Sequence, residues 1–234
     1  MHSNKENLQV LYEDNHLIVI NKRIGDIVQG DKTGDKPLSD VVKEYLGVKY
    51  NKPGKVFLGV THRLDRPTSG IVVFAKTSKS LERLNKMFRE KSIEKTYWAL
   101  VEGRPDPGER TLIHHLKKNP KNNKSSAFSR ESSDTKKAIL HFKTLLNLDR
   151  YSLLEINLET GRHHQIRCQL SVSGNPIKGD LKYGSKRSNQ NGGIYLHAAR
   201  IKFIHPVKKE ELIVDAPVPE DELWKLSQSK LVKN

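Results

Sequence analysis

Cysteine is nearly absent from this sequence, and its scarcity excludes two kinds of site. Cys168 is the only cysteine in 234 residues, so no disulfide forms within the chain and a zinc site built from cysteines is excluded. Such a chain fits a reducing compartment, and we expect it to be cytoplasmic. No apolar run approaches the roughly 20 residues that cross a bilayer, and residues 1–15 contain no apolar signal segment. We therefore expect no membrane partner.

The common cofactor motifs are missing as well. The sequence has no glycine-rich phosphate-binding loop, no GxGxxG and no HExxH. His114–His115 and His163–His164 are adjacent pairs, and neighbouring side chains point in different directions on a strand or a helix. No acidic residue follows either pair at a zinc-like spacing. We expect neither a metal nor a nucleotide cofactor.

Positive charge, by contrast, is plentiful. Lysine and arginine number 42 against 27 acidic residues, which gives a net charge of +15. An excess of this size indicates a polyanionic partner, and nucleic acid is favoured because nothing in the chain spans a membrane. The alternative is a lysine-rich surface that serves only solubility.

Hydrophobic periodicity predicts an α+β fold with a mixed, mostly antiparallel central sheet flanked by helices and loops. Predicted strands lie within residues 9–22, 55–60, 70–76, 94–103, 111–116, 138–148, 151–159 and 196–219. Predicted helices lie within residues 36–47, 77–90, 163–174 and 220–228, and Gly47 and Gly174 are expected to end two of them.

No internal repeat or linker divides the chain, so we expect a single catalytic domain. Its predicted bounds are 8–226, between an N-terminal tail (1–7) and a C-terminal tail (227–234). Residues 117–137 are basic and almost without apolar side chains, which predicts a mobile loop or a long hairpin inserted in the domain.

The stretch HRLDRPTSG places Asp65 among His62, Arg63 and Arg66, between two apolar runs. A carboxylate in such a loop is displayed at the end of a strand, and the neighbouring positive charge keeps it ionised. An ionised acid suits a nucleophile or a general base. The other interpretation is a structural or solvated ion pair.

Two further stretches carry candidate chemistry. In ETGRHHQIRCQL, Ile166 and Leu170 form an apolar stripe with Arg167 beside it. Arg167 is either part of a solvated helix face or a partner for a carboxylate such as Asp65. On the strand KTYWALVEG, Tyr97 is either a packing residue or a platform on which a base stacks.

Together, HRLDRPTSG, KTYWALVEG, TGRHHQIRCQLSVSGNPIKGDLKYG and LHAARIKFIHP resemble the RluA-type pseudouridine synthases in order and spacing. The resemblance covers residues 8–219 and corresponds to the form without an N-terminal RNA-binding domain. It implies the pseudouridine synthase fold and the isomerisation of specific uridines in structured ribosomal or transfer RNA to pseudouridine. It also implies a monomer that needs no metal or nucleotide cofactor.

Residue by residue, the resemblance implies that Asp65 is the nucleophile, attacking either C1′ or C6 of a flipped-out uridine. Tyr97 then corresponds to the tyrosine that stacks on the target base, Arg167 to the partner of the aspartate, and Arg63 to the residue that fills the space left in the RNA. Further RNA contacts are expected from His62, Arg162, His164 and Gln165.

Two other functions stay open at this point. A non-catalytic RNA-binding or ribosome-assembly protein could keep the same scaffold. A hydrolase that uses Asp65 in the manner of a glycosidase requires a second carboxylate nearby, and no motif places one there.

Overall fold

Eleven strands and four helices form within residues 2–231, the part of the chain that this computed structural model describes. The strands are β1 (Val10–Glu13), β2 (Leu17–Lys22), β3 (Gly59–Val60), β4 (Ser69–Ala75), β5 (Glu94–Glu102), β6 (Glu109–Asn119), β7 (Lys124–Phe128), β8 (Lys136–Asn147), β9 (Tyr151–Leu158), β10 (Leu196–Ile204) and β11 (Glu211–Asp215). The helices are α1 (Leu38–Lys49), α2 (Ser78–Arg89), α3 (Gln165–Val172) and α4 (Glu222–Leu231), with a short 3-10 helix at Leu181–Tyr183.

The backbone packs as two compact units. The first unit ends at Lys95 and takes in Ala198–Val218, and the second comprises Thr96–His197 with the residues from Pro219 onward. In the first unit the strand order is β1-β2-β4-β10, with β3 beside β4 and β11 beside β10. In the second unit it is β5-β9-β8-β6-β7, and all four of these neighbouring pairs are antiparallel. The predicted α+β class with a mostly antiparallel sheet is confirmed.

The hairpin of β1 and β2 forms where the sequence predicts it. One carboxylate oxygen of Asp14 accepts hydrogen bonds from the backbone N–H groups of His16 and Leu17, both at 2.8 Å, and so closes the turn. All six residues of β2 are buried, as its continuous apolar run requires.

Helix α1 corrects one predicted boundary. It passes through Gly47 and ends after Lys49, because the left-handed residue that stops the helix is Asn51, at φ 45°. The other predicted stop is confirmed. Gly174 follows α3 at φ 85°, and Asn175 donates its backbone N–H to the carbonyl of Leu170 at 3.0 Å.

Glycine is required where β4 begins. Gly70 has φ 112°, and a Cβ placed on it would lie 2.4 Å from the carbonyl oxygen of Ala198 in β10. The backbones of β4 and β10 therefore approach each other too closely for any side chain at this position.

Residues 117–137 form the long hairpin that was one of the two predicted alternatives. β6 pairs with β7 through Asn119 and Lys124, and Ser125 of β7 is buried. The side chains of Leu116, Ala138, Cys168 and Tyr183 form a buried cluster against which Ala127 packs. One face of the hairpin is thus anchored in the core, while Lys117, Lys118 and Lys121 are exposed.

Two predicted ends were wrong. The predicted strand at 55–60 shrinks to the two residues of β3, and the closing helix continues to Leu231, into the predicted C-terminal tail. In the first case the apolar residues before β3, Val56, Phe57 and Leu58, are only half-buried or exposed, so they pack against too little of the core to form a longer strand. The remainder of that tail, 232–234, lies outside the described residues.

Candidate active site

The loop between β3 and β4 carries Asp65. Leu64 is buried and anchors this loop in the core, while Asp65 itself is half-buried. The main-chain carbonyl of Asp65 accepts a hydrogen bond from the backbone N–H of Thr68 at 3.0 Å. The loop therefore holds one carboxylate in a tight turn between two strands.

His62 fixes the start of the same loop against β4. Its ring Nε2 accepts a hydrogen bond from the backbone N–H of Val73 at 3.0 Å, and the ring lies 4.8 Å from that of Phe88. Burial, helped by the positive charge of Lys95, lowers the pKa of His62 to about 3. The imidazole is therefore neutral at neutral pH, which suits its role as an acceptor.

Lys22, at the end of β2, stabilises the backbone next to Asp65. Its side chain is only 1% exposed, and its Nζ donates to the carbonyls of Arg23 at 2.9 Å, Asp26 at 2.8 Å and Arg66 at 3.2 Å. Three carbonyls match the three N–H groups of an ammonium. Burial lowers the pKa of Lys22 to about 7, although the negative charges of Asp26 and Asp65 act to raise it. One lysine thus ties the residue after Asp65 to the segment that follows β2.

The two arginines that flank Asp65 have different surroundings. Arg63 is exposed. Arg66 binds the loop at residues 31–35, with Nη1 2.6 Å from Oδ2 of Asp35 and Nη2 2.8 Å from Oγ1 of Thr33. Arg63 is thus presented at the surface, whereas Arg66 holds a neighbouring loop in place.

In the second unit, Arg167 forms a buried ion pair with Asp180. Arg167 Nε lies 2.6 Å from Oδ2 of Asp180, and Nη2 lies 2.8 Å from Oδ1. The side chains are 6% and 1% exposed. This bidentate geometry is the strongest that an arginine and a carboxylate make.

Gln165 shapes the turn that leads into α3. Its Oε1 accepts hydrogen bonds from Thr160 Oγ1 at 2.8 Å and from the backbone N–H of Arg162 at 2.9 Å. Its Nε2 donates to the carbonyl of Ile139 at 3.0 Å, and the residue is buried. Arg162 is exposed and donates its Nε to the carbonyl of Lys137 at 2.9 Å.

His164 precedes α3 in a left-handed conformation, at φ 51°. Its ring stacks on that of His163 with centroids 3.8 Å apart, and its Nδ1 lies 3.0 Å from the hydroxyl of Tyr183. The structure thus brings four predicted residues together around the start of α3, namely Arg162, His164, Gln165 and Arg167, and places the other group, His62, Arg63 and Asp65, in the loop before β4.

The model of the RNA pseudouridylate synthase family matches residues 16–172, which contain both of these groups. The chain belongs to the RNA pseudouridylate synthase family.

Curated relatives and a solved structure agree with this assignment. Ribosomal large subunit pseudouridine synthase C of Vibrio vulnificus (strain CMCP6) is 34% identical over 94% of this chain and 68% of its own length. Ribosomal large subunit pseudouridine synthase D of Zymomonas mobilis subsp. mobilis (strain ATCC 31821 / ZM4 / CP4) is 32% identical over 92% of this chain and 70% of its own length. The structure of human RNA pseudouridylate synthase domain containing 4 has the same fold, with a TM-score of 0.78 at 23% identity over 95% of this chain and 93% of that chain. The predicted family, fold and enzyme class, an RNA pseudouridine synthase, are confirmed.

Tyr97 of this pseudouridine synthase lies in β5 and pairs across the sheet with Ile156 of β9. It is 8% exposed, so most of its ring is covered by protein. Tyr97 and Arg167 belong to the second unit and Asp65 to the first.

Sequence reasoning did not single out Lys22 or Asp180 in this pseudouridine synthase. A signal for Lys22 exists, because a lysine directly after the run HLIVIN continues a strand that is buried on both faces. Asp180 lies in the sequence GDLKYG, where an aspartate after glycine is typical of an ordinary turn, so nothing local distinguishes it.

Residues 2–231 contain no group of three or more histidine, cysteine or acidic side chains arranged to hold a metal ion. Over the same residues, no helix combines the length and the apolar character needed to cross a membrane.

Proposed function

We propose that this pseudouridine synthase converts a specific uridine in structured RNA to pseudouridine, with the carboxylate of Asp65 as the nucleophile. It acts as a monomer in the cytoplasm and uses no metal or nucleotide cofactor. Ribosomal RNA is the first substrate to test, because relatives such as that of Vibrio vulnificus are named ribosomal large subunit pseudouridine synthases. Transfer RNA is the second.

The anchoring of Asp65 is the observation that carries this proposal. Its carbonyl closes a turn with Thr68, and the next residue, Arg66, is tied by its own carbonyl to Lys22 and to the backbone N–H of Gly25 at 2.9 Å. A nucleophile that is already held in position reacts faster, because the entropic cost of placing it against the substrate does not add to the activation free energy. Several contacts made at one loop, around a single acid, support a catalytic role over a solvated one.

The reaction breaks the N1–C1′ bond of uridine and forms a C5–C1′ bond. Attack by Asp65 at C1′ or at C6 produces a covalent intermediate, and the released uracil turns so that C5 faces C1′. The bond to Asp65 breaks as the C5–C1′ bond forms or after it, which returns the free carboxylate; the proton then leaves C5 and N1 gains a proton, so no external reagent is consumed.

Arg167 and Tyr97 complete the proposed active site from the second unit. The guanidinium of Arg167 pairs with Asp65 and holds it oriented and anionic. The ring of Tyr97 supports the uracil by stacking and assists removal of the C5 proton.

Arg63 supports the step that exposes the uridine. A stacked base cannot be reached by a nucleophile, so the nucleotide must be extruded from the RNA. Arg63 is the exposed arginine of the loop, and a planar guanidinium is able to occupy the gap in the stack. His62, at the other side of Arg63, acts in this proposal by holding the loop, since its Nε2 is engaged by Val73.

Around α3, Arg162 and His164 bind RNA, and Gln165 supports them through the turn that it shapes. The contacts of Gln165 and the exposure of Arg162 support this division, because the amide of Gln165 is occupied by protein groups while Arg162 is exposed.

The hairpin of β6 and β7 supplies a second basic surface for RNA. An open cavity of about 470 Å³ on this hairpin is lined by Lys117, Lys118, Asn119, Pro120, Lys121, Ser126 and Phe128. Phe128 is an exposed aromatic, so the cavity combines phosphate-binding charge with a ring on which a base can stack.

The test measures tritium release from RNA that carries uridine labelled at C5. The wild-type protein is expected to release tritium, and Asp65→Asn is expected to release none while it binds RNA almost as tightly. Asp106→Asn is the matched control, because Asp106 is an exposed acid that pairs with the nearby Arg110 at 2.8 Å, and its activity is expected to equal the wild type.

Each other outcome contradicts a defined part of the proposal. Wild-type turnover in Asp65→Asn refutes the nucleophile. RNA binding without tritium release in the wild type, on ribosomal and transfer RNA alike, favours a non-catalytic RNA-binding protein. Free uracil among the products favours a hydrolase.

A further inference from the structure

Packing alone does not explain the buried ion pair of Arg167 and Asp180. Both charges are removed from water, and a buried ion pair is often no more stabilising than apolar residues of the same volume. Stability alone is therefore a weak reason to keep an arginine and an aspartate here. A requirement for a guanidinium in one orientation is a stronger one.

The turn around Asp180 fixes the direction of its carboxylate. The backbone N–H of Asp180 donates to the carbonyl of Ile177 at 3.0 Å. The carbonyl of Asp180 accepts from the backbone N–H groups of Tyr183 and Ser185, both at 3.0 Å. Gly179 precedes it at φ 88°, where a Cβ would lie 2.1 Å from Asn189. Backbone contacts on both sides of Asp180 thus make it a rigid acceptor.

Tyr183 fixes the guanidinium from a second direction. Its ring centroid lies 5.1 Å from Cζ of Arg167, a distance at which a cation is attracted to an aromatic ring. The ring is itself held, because the Tyr183 hydroxyl accepts the backbone N–H of Ser125 at 2.7 Å. The Nε–Nη2 edge of Arg167 is thus set by Asp180, and the ring of Tyr183 supports the cation.

We propose that Asp180 is the positioning residue of Arg167 and that Tyr183 assists it. This inference rests on the proposed function, in which Arg167 orients the Asp65 carboxylate. Asp180 takes the Nε–Nη2 edge and so sets the orientation of the guanidinium that the proposed function assigns to Asp65. Asp180 thereby affects the rate of the chemical step without touching the RNA.

The first measurement compares Asp180→Asn with the wild type in single-turnover tritium release and in RNA binding. A misdirected catalytic group commonly reduces the rate by about 100-fold, and we expect Asp180→Asn to lose this much in the single-turnover rate constant with RNA affinity unchanged within about twofold. Asp180→Glu keeps the charge and is expected to recover part of the lost rate. Asp221→Asn is the control, because Asp221 accepts from the hydroxyl of Tyr195 at 2.6 Å in the same unit without a role in the Arg167 pair, and its single-turnover rate should stay within about twofold of the wild type.

The second measurement does not depend on activity. In the wild-type protein, the Nε–H of Arg167 should give a slowly exchanging NMR signal, identified by its absence in Arg167→Lys, because this proton is held by a buried carboxylate. The signal should exchange rapidly in Asp180→Asn, with circular dichroism showing that the variant is folded. If that variant does not fold, the slow signal in the wild type and the partial activity of Asp180→Glu still test the proposal.

The outcomes separate this inference from the proposed function. Fast exchange of the wild-type signal, or an Asp180→Asn rate within about threefold of the wild type, overturns the positioning role of Asp180. Equal losses of the single-turnover rate and of RNA affinity in Asp180→Asn also overturn it, since they indicate a general structural defect. Absence of tritium release from the wild type contradicts the proposed function instead, and the exchange measurement then still decides whether Asp180 holds Arg167.

Discussion

Substitution of Gly70 by alanine should destabilise the part of the sheet from which the Asp65 loop extends. Alanine at φ 112° adopts a backbone conformation that L-residues avoid, at a cost of about 1–2 kcal/mol. The new Cβ would also lie 2.4 Å from the carbonyl oxygen and 2.5 Å from the nitrogen of Ala198. Both atoms belong to backbone, so no side-chain rotation relieves the contact and β4 must move away from β10. Overpacking of this kind costs about 1–3 kcal/mol, and the total loss of unfolding free energy is expected to be about 2–5 kcal/mol.

Gly54→Ala is the matched control for this experiment. Gly54 lies in the same unit at φ 89°, but nothing lies within 4 Å of a Cβ placed there. It should therefore lose only the conformational part, about 1–2 kcal/mol. Urea denaturation of both variants gives the comparison. Equal losses in the two variants would refute the claim that close approach of β4 and β10 demands glycine in the motif.

Two more predictions concern charge. Lys22→Met should change how the free energy of unfolding depends on pH. Burial lowers the pKa of Lys22 from 10.5 in the unfolded chain to about 7 in the folded protein. Between these two pH values the unfolded chain binds one more proton than the folded protein, so the wild type becomes more stable as the pH rises. Subtracting the unfolding free energy of Lys22→Met from that of the wild type should give a difference that rises by up to about 1.4 kcal/mol per pH unit, and a difference independent of pH would contradict the assignment. Replacing the four hairpin lysines by glutamine should reduce the salt dependence of RNA binding, by up to about 0.9 in the log–log slope for each phosphate that they neutralise in the wild type. The four lysines are Lys117, Lys118, Lys121 and Lys124. An unchanged slope would show that they contact solvent and not RNA phosphates.

Patterns that act within one element were predictable from the sequence. The run HLIVI indicated a buried strand, Thr77 was expected to start α2 and accepts the backbone N–H of Ser80 at 3.2 Å, and Gly174 was expected to end α3. In each case the cause lies within a few residues of the feature. The prediction that Gly47 ends α1 was wrong, because a glycine is tolerated inside a helix. The left-handed residue that ends α1 is Asn51.

Contacts between distant segments were not predictable in the same way. The family resemblance implied RNA contacts from Gln165 and His62, and these roles remain predictions, but the sequence did not show which protein groups the two side chains contact. In the structure the amide of Gln165 bonds Thr160 and Ile139, and His62 accepts from Val73, which depends on how the chain returns on itself. The pair of Arg167 and Asp180 depends in the same way on the turn after α3.

Mapping of pseudouridines in total RNA tests the central claim most directly. RNA from cells that lack this protein is compared with RNA from the same cells supplied with the wild type or with Asp65→Asn. We predict at least one pseudouridine that is absent without the protein, returns with the wild type and does not return with Asp65→Asn. Restoration of that pseudouridine by Asp65→Asn, or an identical map with and without the protein, would contradict the assignment of Asp65 as the nucleophile of an RNA pseudouridine synthase.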